Sequence, residues 1–247
     1  MFSSGYIYAT YNTLPISAAL NSANSLLLLQ DSPSNQKICP AIISNSVETS
    51  YLELYSDKDL CFYSLDIGKQ FKFMNFGLGI SSLNHPIYKE NTANFAISKK
   101  ILMIHFGTSF SYISTKINSK EEKSSSLSFG IKTEQNNWAS QFSINKISLL
   151  KSDDKEMEIN LENSYKITKN TKISVGLFKE NSFDFSFRIG LAQEFSKYLT
   201  LISSYQYLPD RFGMGMTFHL QKIYIIYGIR THQELDLTHA LSIGYNF

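Results

Sequence analysis

The sequence predicts an all-β fold, a transmembrane antiparallel β-barrel of about 14 strands. Beyond residue 46, apolar side chains alternate with small or polar ones along most of the chain. The alternating stretches are about ten residues long, near the length that a tilted strand needs to cross a bilayer. The connections between them sort into a longer and a shorter set, as in barrels with external loops and tight periplasmic turns.

The first part of the chain, residues 1–45, differs from the rest. Residues 14–23 are rich in small side chains, and an apolar run follows them. We expect a short helix here, within a plug or hatch segment in the barrel mouth; a periplasmic tail is the alternative. The side chains expected to contact the barrel are Leu26, Leu27, Leu28 and Leu29. The sequence therefore predicts a plug at 1–45 and a barrel at 46–247.

The barrel strands follow one another at hairpin spacing. The clearest alternation runs from Phe183 to Leu191, where every second residue is large and apolar and the others are small or charged. Because successive side chains of a strand point to opposite faces, one face would meet lipid and the other the lumen. The predicted strands are 47–56, 60–69, 71–82, 90–99, 101–116, 124–134, 138–150, 156–168, 171–180, 182–195, 198–208, 211–220, 222–230 and 238–247.

The connections give an independent indication of a barrel. If the carboxyl-terminal end is periplasmic, every second connection lies outside the cell. The predicted outside loops are 231–237, 208–211, 179–182, 151–155, 118–123, 83–90 and 56–59. The predicted inside turns are 221, 196–197, 168–171, 135–137, 99–100 and 69–70. Apart from 208–211 and 168–171, the longer connections fall in the outside set. A soluble sandwich has no reason to sort its connections by length in this way.

The last strand, 238–247, carries a further signal. Leu241, Ile243, Tyr245 and Phe247 share one face, and small or polar residues occupy the other. A terminal aromatic residue on such a strand is typical of bacterial outer-membrane barrels. Tyr245 and Phe247 are therefore predicted to form the signal that the barrel-assembly machinery reads.

Composition narrows the class of protein. The net charge of +2 offers no basic surface for nucleic acid. No stretch approaches the roughly 18 apolar residues of a transmembrane helix. Residues 1–6 show no basic region or apolar core of a secretory signal, so the export signal that an outer-membrane protein needs is not present in this sequence, which counts against an outer-membrane protein if Met1 is the native start. Cys39 and Cys61 are the only cysteines, and either a disulfide or two free thiols fits them.

The inward phase of the strands holds the candidate lumen residues. They are Lys132, Glu158, Glu162, Asp184, Arg188, His219 and Arg230. Charges of both signs in a narrow lumen predict an ion-pair network that fills space, with a substrate track as the alternative. A selective ion pore would favour one sign.

No arrangement of residues in the sequence indicates catalysis. The five histidines are scattered without the spacing of metal ligands. The sequence has no Gly-x-Ser-x-Gly turn and no phosphate-binding loop. We expect no enzyme activity, no metal and no cofactor.

Short motifs at both ends carry a family resemblance. Residues 14–23 stand at the place of an "ARA…LGGA" segment, 29–31 resemble "AL.DD", 39–41 resemble "NPA", and 238–247 resemble a closing "(S/T)H.(L)S(L)(G/S)Y.F". On these motifs the chain is similar to PorV/PorQ-type outer-membrane proteins of the FadL-like superfamily, as a divergent member. The arginine and both glycines of the first motif are missing, and Cys39 replaces the asparagine of the third. The resemblance implies a fourteen-stranded barrel behind a hatch, serving uptake of hydrophobic small molecules or type IX protein secretion.

These expectations converge on an integral protein of the bacterial outer membrane. It would transport hydrophobic solutes or act as a barrel subunit of a secretion or surface-assembly system. The expected partners are outer-membrane lipid, the barrel-assembly machinery, and either secretion-system subunits or a hydrophobic small molecule, with no nucleic acid. A sealed structural barrel without transport and a soluble all-β binding protein are the alternatives.

Overall fold

The chain folds into a closed antiparallel barrel in a computed structural model that describes residues 17–118, 120–149, 157–180 and 183–247. Within these ranges, fourteen strands follow one another around the wall in sequence order, and the first closes the barrel by pairing with the last. In that pairing Ser46 lies opposite Asn246, and Glu53 lies opposite His239. The predicted all-β barrel of about 14 strands is confirmed.

The strands have the following bounds: β1 Ser46–Glu53, β2 Cys61–Gln70, β3 Asn75–His85, β4 Tyr88–Ile101, β5 Ile104–Ile117, β6 Lys120–Gln135, β7 Trp138–Ser148, β8 Glu158–Lys166, β9 Thr171–Glu180, β10 Ser186–Ser196, β11 Leu199–Tyr207, β12 Arg211–Leu220, β13 Ile223–Arg230 and β14 Thr238–Asn246. The helical elements of the described chain are α1 (Ala18–Ser22) and the 3-10 helices Pro33–Lys37 and Leu54–Ser56. No helix among the described residues has the length and apolar character needed to span a membrane.

The short helix expected near the start of the chain is α1. The Ser17 side chain accepts a hydrogen bond from the N–H of Leu20 at 3.3 Å, so this serine caps the helix. Asn24 and Ser25 follow with φ values of 47° and 60°, in the left-handed region that ends a helix. The helix is thereby limited to a little over one turn.

Two of the outside connections are shorter than the sequence predicts. β3 and β4 remain paired as far as His85 and Tyr88, and β5 and β6 as far as Ile117 and Lys120. The loops predicted at 83–90 and 118–123 are therefore mostly strand. The reason is that ladder hydrogen bonds use the backbone, so exposed polar side chains do not end a hairpin that extends into water.

The remaining long connections keep the predicted asymmetry. We call the end of the barrel that holds Phe247 the turn end, and the opposite end the loop end. The connections 54–60, 149–157 and 231–237 are the longest, and all three are at the loop end. At the turn end, residues 71–74 form a tight turn in which the Phe71 N–H bonds to the Met74 carbonyl at 3.2 Å, so β3 begins at Asn75 rather than at residue 71.

The barrel has an apolar outside and a polar inside. On β10, Phe187 and Leu191 point outward and are 43% and 39% exposed, whereas Arg188 between them is buried. Large apolar side chains are exposed in the same way on the other strands, while serine, asparagine and charged side chains are buried. This distribution is the one expected of a barrel whose outer surface contacts lipid.

Residues 17–45 lie inside the barrel, where they fill part of the lumen. α1 contacts β11, β12, β13, β14 and β1, and the 3-10 helix 33–37 contacts β1 to β4. The approach is so close that a Cβ atom at Gly213 would overlap the carbonyl oxygen of Ser22. Glycine at this wall position therefore makes room for the segment.

Candidate functional site

Two cavities that share no lining residue lie on either side of residues 17–45 in the described part of the lumen. The upper cavity, toward the loop end, has a volume of about 140 Å³. The vestibule, toward the turn end, has a volume of about 720 Å³. Ser25, Lys37 and Ile38 line the upper cavity, whereas residues 27–31 and 41–46 line the vestibule. The segment thus separates two spaces that an open barrel would join.

Buried carboxylates of the wall hold this segment in place. Glu162 on β8 accepts hydrogen bonds from the backbone N–H groups of Leu27 at 2.7 Å and Leu28 at 2.9 Å, and from the Ser174 hydroxyl at 2.5 Å. These contacts leave the Glu162 carboxylate satisfied although it is wholly buried. Glu162, which the sequence placed in the lumen, binds the backbone of the segment.

Glu48 on β1 and Asp66 on β2 act in the same way. Glu48 accepts hydrogen bonds from the Ser32 hydroxyl at 3.2 Å and the Tyr224 hydroxyl at 2.9 Å. Asp66 accepts one from Ser34 at 2.9 Å. Its carboxylate also lies 2.8 Å from the ammonium group of Lys37. The sequence analysis did not select these two carboxylates, although both occupy the inward phase of their strands.

The four predicted plug leucines lie in two apolar clusters. Leu26 and Leu29 pack with Ala192 and Ile202 of the wall. Leu27 and Leu28 pack with a second group that includes Leu20 and Ile42 of the same segment. The first pair therefore contacts the barrel wall through side chains, while the second pair is bound to it through backbone N–H groups.

The candidate lumen residues fall in three places. Glu158 and Arg188 line the upper cavity, and Lys132 and His219 line the vestibule. Glu162 on β8 and Arg230 on β13 are buried on the inner face. Asp184 lies ahead of β10 in an exposed stretch, away from the lumen.

The vestibule carries one ion pair and further charged or titratable side chains. Lys132 lies 3.0 Å from Glu134, and His219 contacts the Thr200 hydroxyl at 3.4 Å. The Lys172 ammonium donates to the carbonyl of Leu28 at 3.0 Å, on the segment itself. Charges of both signs therefore line this mouth.

A β-bulge brings an unexpected cation into the upper cavity. Strict alternation on β7 would point Lys146 toward lipid. The pairing of β6 with β7 shifts between Leu127 and Phe129, and Lys146 has a φ of 58°. The bulge turns the side chain inward, where the Lys146 ammonium lies 2.7 Å from the Glu158 carboxylate. A lone lysine in the lipid phase of the sequence was the available signal, because such a position is unfavourable near the midplane.

Three arginines occupy the inner face near the loop end. Arg188 on β10, Arg211 on β12 and Arg230 on β13 are 4%, 5% and 3% exposed. The guanidinium of Arg188 lies 4.3 Å from the ring centre of Phe178, which also lines the upper cavity. The sequence analysis selected Arg188 and Arg230 but missed Arg211, because Arg211 is the first residue of its strand and also the last residue of the predicted loop 208–211.

The residues predicted to signal barrel assembly lie at the turn end. The rings of Tyr245 and Phe247 point outward, with centres 6.0 Å apart in an edge-to-face arrangement. The Lys69 ammonium lies 4.5 Å from the Phe247 ring centre. Their role in assembly stays a prediction.

Both cysteines are free thiols. Cys39 is part of the segment and lies against the wall at Gly130, whereas Cys61 begins β2 at the loop end. Within the described ranges, no group of three or more His, Cys, Asp and Glu residues is placed to hold a metal ion.

The fold is similar to solved structures of channels and porins. The structure of the CymD monoaromatic hydrocarbon channel has a TM-score of 0.77, with 6% identity over 96% of this chain and 98% of that chain. The TodX deltaS2S3 mutant monoaromatic hydrocarbon channel has a TM-score of 0.64, with 10% identity over 82% of this chain and 89% of that chain. A mutant of the Rh. blastica porin has a TM-score of 0.51, with 5% identity over 82% and 98%.

No protein-family model and no curated protein matches the sequence. At such low identities the structural likeness shows the fold alone. The closed barrel is thus shared with channels, and any function has to be argued from the lumen of this chain.

Proposed function

We propose that this chain is an outer-membrane channel for a small, largely apolar solute, with residues 1–45 acting as a hatch across the lumen. One observation carries the proposal: a buried segment lies between two separate cavities inside a barrel whose outer surface is apolar. The fold likeness to the two hydrocarbon channels supports it.

The upper cavity has the character of a solute site. Phe62, Leu83, Ile113 and Phe178 give it apolar walls, and polar side chains converge on it from β4 to β8. A pocket that is partly apolar with a few placed polar groups is the usual form of a small-molecule site. A solute from the loop end would bind here before it meets the segment.

Passage to the vestibule requires the segment to shift. Its contacts with Glu48, Asp66 and Glu162 are hydrogen bonds and one ion pair, which can exchange for contacts with water. A solute can favour the shifted state only by binding it more tightly than the closed state. The equilibrium between closed and shifted hatch can therefore change by at most the ratio of the solute's affinities for the two states.

The kinship with FadL-like proteins is part of this proposal, and the hatch arrangement supports it. The secretion role expected from the same resemblance has no counterpart among the channels and porins compared above, and it stays a prediction. The absence of enzyme activity also stays a prediction. A soluble binding protein is disfavoured, because a continuous exposed apolar surface of this extent would cause association in water.

A sealed structural barrel is the second candidate. The number of wall contacts to the segment favours it, since each one stabilises the closed lumen. The two candidates differ in flux alone. With a sealed barrel, solute would cross the membrane no faster than it crosses the lipid bilayer alone.

Uptake of radiolabelled toluene by cells that produce the protein tests the proposal. Uptake above that of cells without the protein is expected. Ser126 lines the upper cavity, so the S126W variant should reduce uptake at least fivefold by filling it. The neighbouring L127W variant, on the opposite face of β6, should leave uptake unchanged. Uptake equal to background in wild-type cells would replace the channel with the sealed barrel.

A further inference from the structure

Lysine side chains surround most of the outer rim at the turn end of the barrel. Except for 136–137, each turn at this end has a lysine within it or within two residues of it. We call these residues the rim lysines: Lys69, Lys72, Lys99, Lys100, Lys169, Lys197 and Lys222. All of them are exposed apart from Lys69, which is half-buried. Positive charge is therefore spread around the barrel at this end.

The exposed side-chain carboxylates of the turn end lie elsewhere. Asp31, Glu134 and Glu194 line the vestibule, whereas none of the rim lysines does. The rim lysines form no ion pair with another described side chain. The carboxyl group of Phe247, next to Lys69, is the negative group that remains on the rim. The outer rim of the described chain therefore carries an excess of positive charge.

Apolar side chains are exposed at the same level as the rim lysines. Phe73 is 79% exposed and Leu102 is 91% exposed, each in a turn of this end. Met103, Ile167 and Tyr198 are exposed in the same way. Because such side chains are unfavourable in water, these turns indicate how far the interface of the bilayer reaches along the barrel. The rim lysines therefore lie at the level of the lipid headgroups.

Aromatic rings hold several rim lysines in place. The Lys72 ammonium lies 5.9 Å from the ring centre of Phe73, and the Lys197 ammonium lies 4.8 Å from that of Tyr198. An aromatic ring favours the boundary between hydrocarbon and water, and a lysine beside it extends its charge toward the water. These contacts therefore present the ammonium groups to the phosphate layer of the lipid.

A partner of the rim has to supply negative charge around the barrel and also contact the apolar turns. A second copy of the chain would bring like charges together at this surface and be repelled. A lipid with an anionic headgroup meets both requirements, because its phosphate faces the lysines and its acyl chains contact the apolar side chains. The charge and the apolar turns together favour lipid.

We propose that the turn end selectively binds lipids with an anionic phosphate headgroup through the rim lysines. The inference goes beyond the proposed channel, because it concerns the outer rim and requires no passage through the lumen. With the turn end toward the periplasm, as the connection lengths predict, these lipids belong to the periplasmic leaflet.

Trp138 allows the binding to be measured on the full chain. It is the single tryptophan of the sequence, it begins β7 at the turn end, and it is 47% exposed. The protein is placed in phosphatidylcholine vesicles with a small, fixed fraction of lipid that carries brominated acyl chains, which quench tryptophan fluorescence on contact. The brominated lipid is phosphatidylglycerol in one sample and phosphatidylcholine in the other. Stronger quenching by phosphatidylglycerol reports its enrichment beside Trp138.

The wild-type protein should enrich phosphatidylglycerol at least threefold at low salt. The enrichment should fall toward one at high salt, because salt screens charges at an exposed surface. The variant K99Q/K100Q/K169Q removes the rim lysines at the two turns next to that of Trp138, and it should lose most of the enrichment. The matched variant K89Q/K116Q/K120Q removes three exposed lysines of the loop end and should retain it.

The outcomes separate the lipid site from the channel. Equal quenching by the two brominated lipids in the wild-type protein at low salt would overturn the proposal without recourse to any variant. Enrichment that persists in K99Q/K100Q/K169Q, with heat-modifiable migration showing a folded barrel, would also overturn the role of the rim lysines. An equal loss in K89Q/K116Q/K120Q would overturn it as well, since total charge would then explain the enrichment. Toluene uptake tests the channel independently, so either proposal can fail while the other stands.

Discussion

The carboxylate of Glu162 accepts a hydrogen bond from the backbone N–H of Leu27 at 2.7 Å, although the two residues are 135 positions apart in the sequence. Glu162 belongs to the wall and Leu27 to the segment that crosses the lumen. Because the carboxylate is wholly buried, its negative charge depends on the N–H groups and the hydroxyl that face it. The contact therefore fixes the segment to the barrel.

Replacing Glu162 with glutamine should loosen the segment. The amide offers one oxygen where the carboxylate offered two, so one of the N–H groups of Leu27 and Leu28 loses its acceptor. The expected loss in free energy of unfolding is about 2 kcal/mol. Urea titration of the barrel in detergent measures it, and E194Q at an exposed position of β10 is the control. Equal midpoints for the two variants would contradict the role of Glu162.

The outer face should tolerate a charge near the barrel end better than in its middle. Leu191 lies at the centre of β10, and Phe187 is the second residue of that strand. Arginine at position 191 should destabilise the barrel by about 2–4 kcal/mol, and arginine at position 187 by about 0–1 kcal/mol. Unfolding in lipid vesicles measures both. S186A is the control on the inner face, because the Ser186 hydroxyl has no hydrogen-bond partner among the described residues. If the arginine variants at positions 187 and 191 lose the same stability, the depths assigned to these two residues in the membrane are wrong.

Lys146 and Glu158 should be energetically coupled. Their charged atoms are 2.7 Å apart, and their side chains are 26% and 8% exposed. A double-mutant cycle with K146Q and E158Q should give a coupling energy of about 1 kcal/mol, since solvent partly screens the pair. If the losses in stability of the two single variants add up to the loss of the double variant, the bulge does not serve this contact.

The Cys39 thiol should be protected in the folded protein. Burial raises the pKa of Cys39 from 9.0 to about 12, so the reactive thiolate is scarce at pH 8. In the C61S variant, where Cys39 is the remaining cysteine, alkylation by N-ethylmaleimide should be at least tenfold slower in the folded barrel than after unfolding in urea. Equal rates would place Cys39 in contact with solvent.

The same shift predicts a dependence of stability on pH. The folded state keeps the thiol proton up to about pH 12, whereas the unfolded chain releases it above about pH 9. The stabilisation associated with the protonated thiol is therefore complete below pH 9 and is lost as the pH rises toward 12. The C39S variant should lack this part of the alkaline loss when urea midpoints are compared across that range.

The wall of the barrel was predictable because alternation is a local property. Phe187 and Leu191 face outward and Arg188 faces inward, as the period of two requires. The strand order also followed from the sequence, because short connections leave antiparallel neighbours as the simplest arrangement. The predictions of loops at 83–90 and 118–123 were wrong. The polarity of side chains indicates that they are exposed to solvent, but it does not indicate where the backbone hydrogen bonds between two strands end.

The lumen was less predictable because its contacts are made between distant residues. The bulge at Lys146 breaks the alternation from within, and its one signal in β7 is a lysine in the lipid phase, which does not locate the extra residue. The pairing of Glu162 with backbone N–H groups requires the path of the segment, which no periodicity encodes. Arg211 was missed for a different reason, since the first residue of a strand cannot be assigned to a face until the strand boundary is known.

Conductance across a planar bilayer tests most directly the claim that the segment closes the lumen. The full chain should show a low conductance, because residues 17–45 separate the upper cavity from the vestibule. A chain that lacks residues 1–45, and that still migrates as a heat-modifiable barrel, should show a conductance at least tenfold higher. A folded barrel with the same low conductance after this deletion would contradict the account.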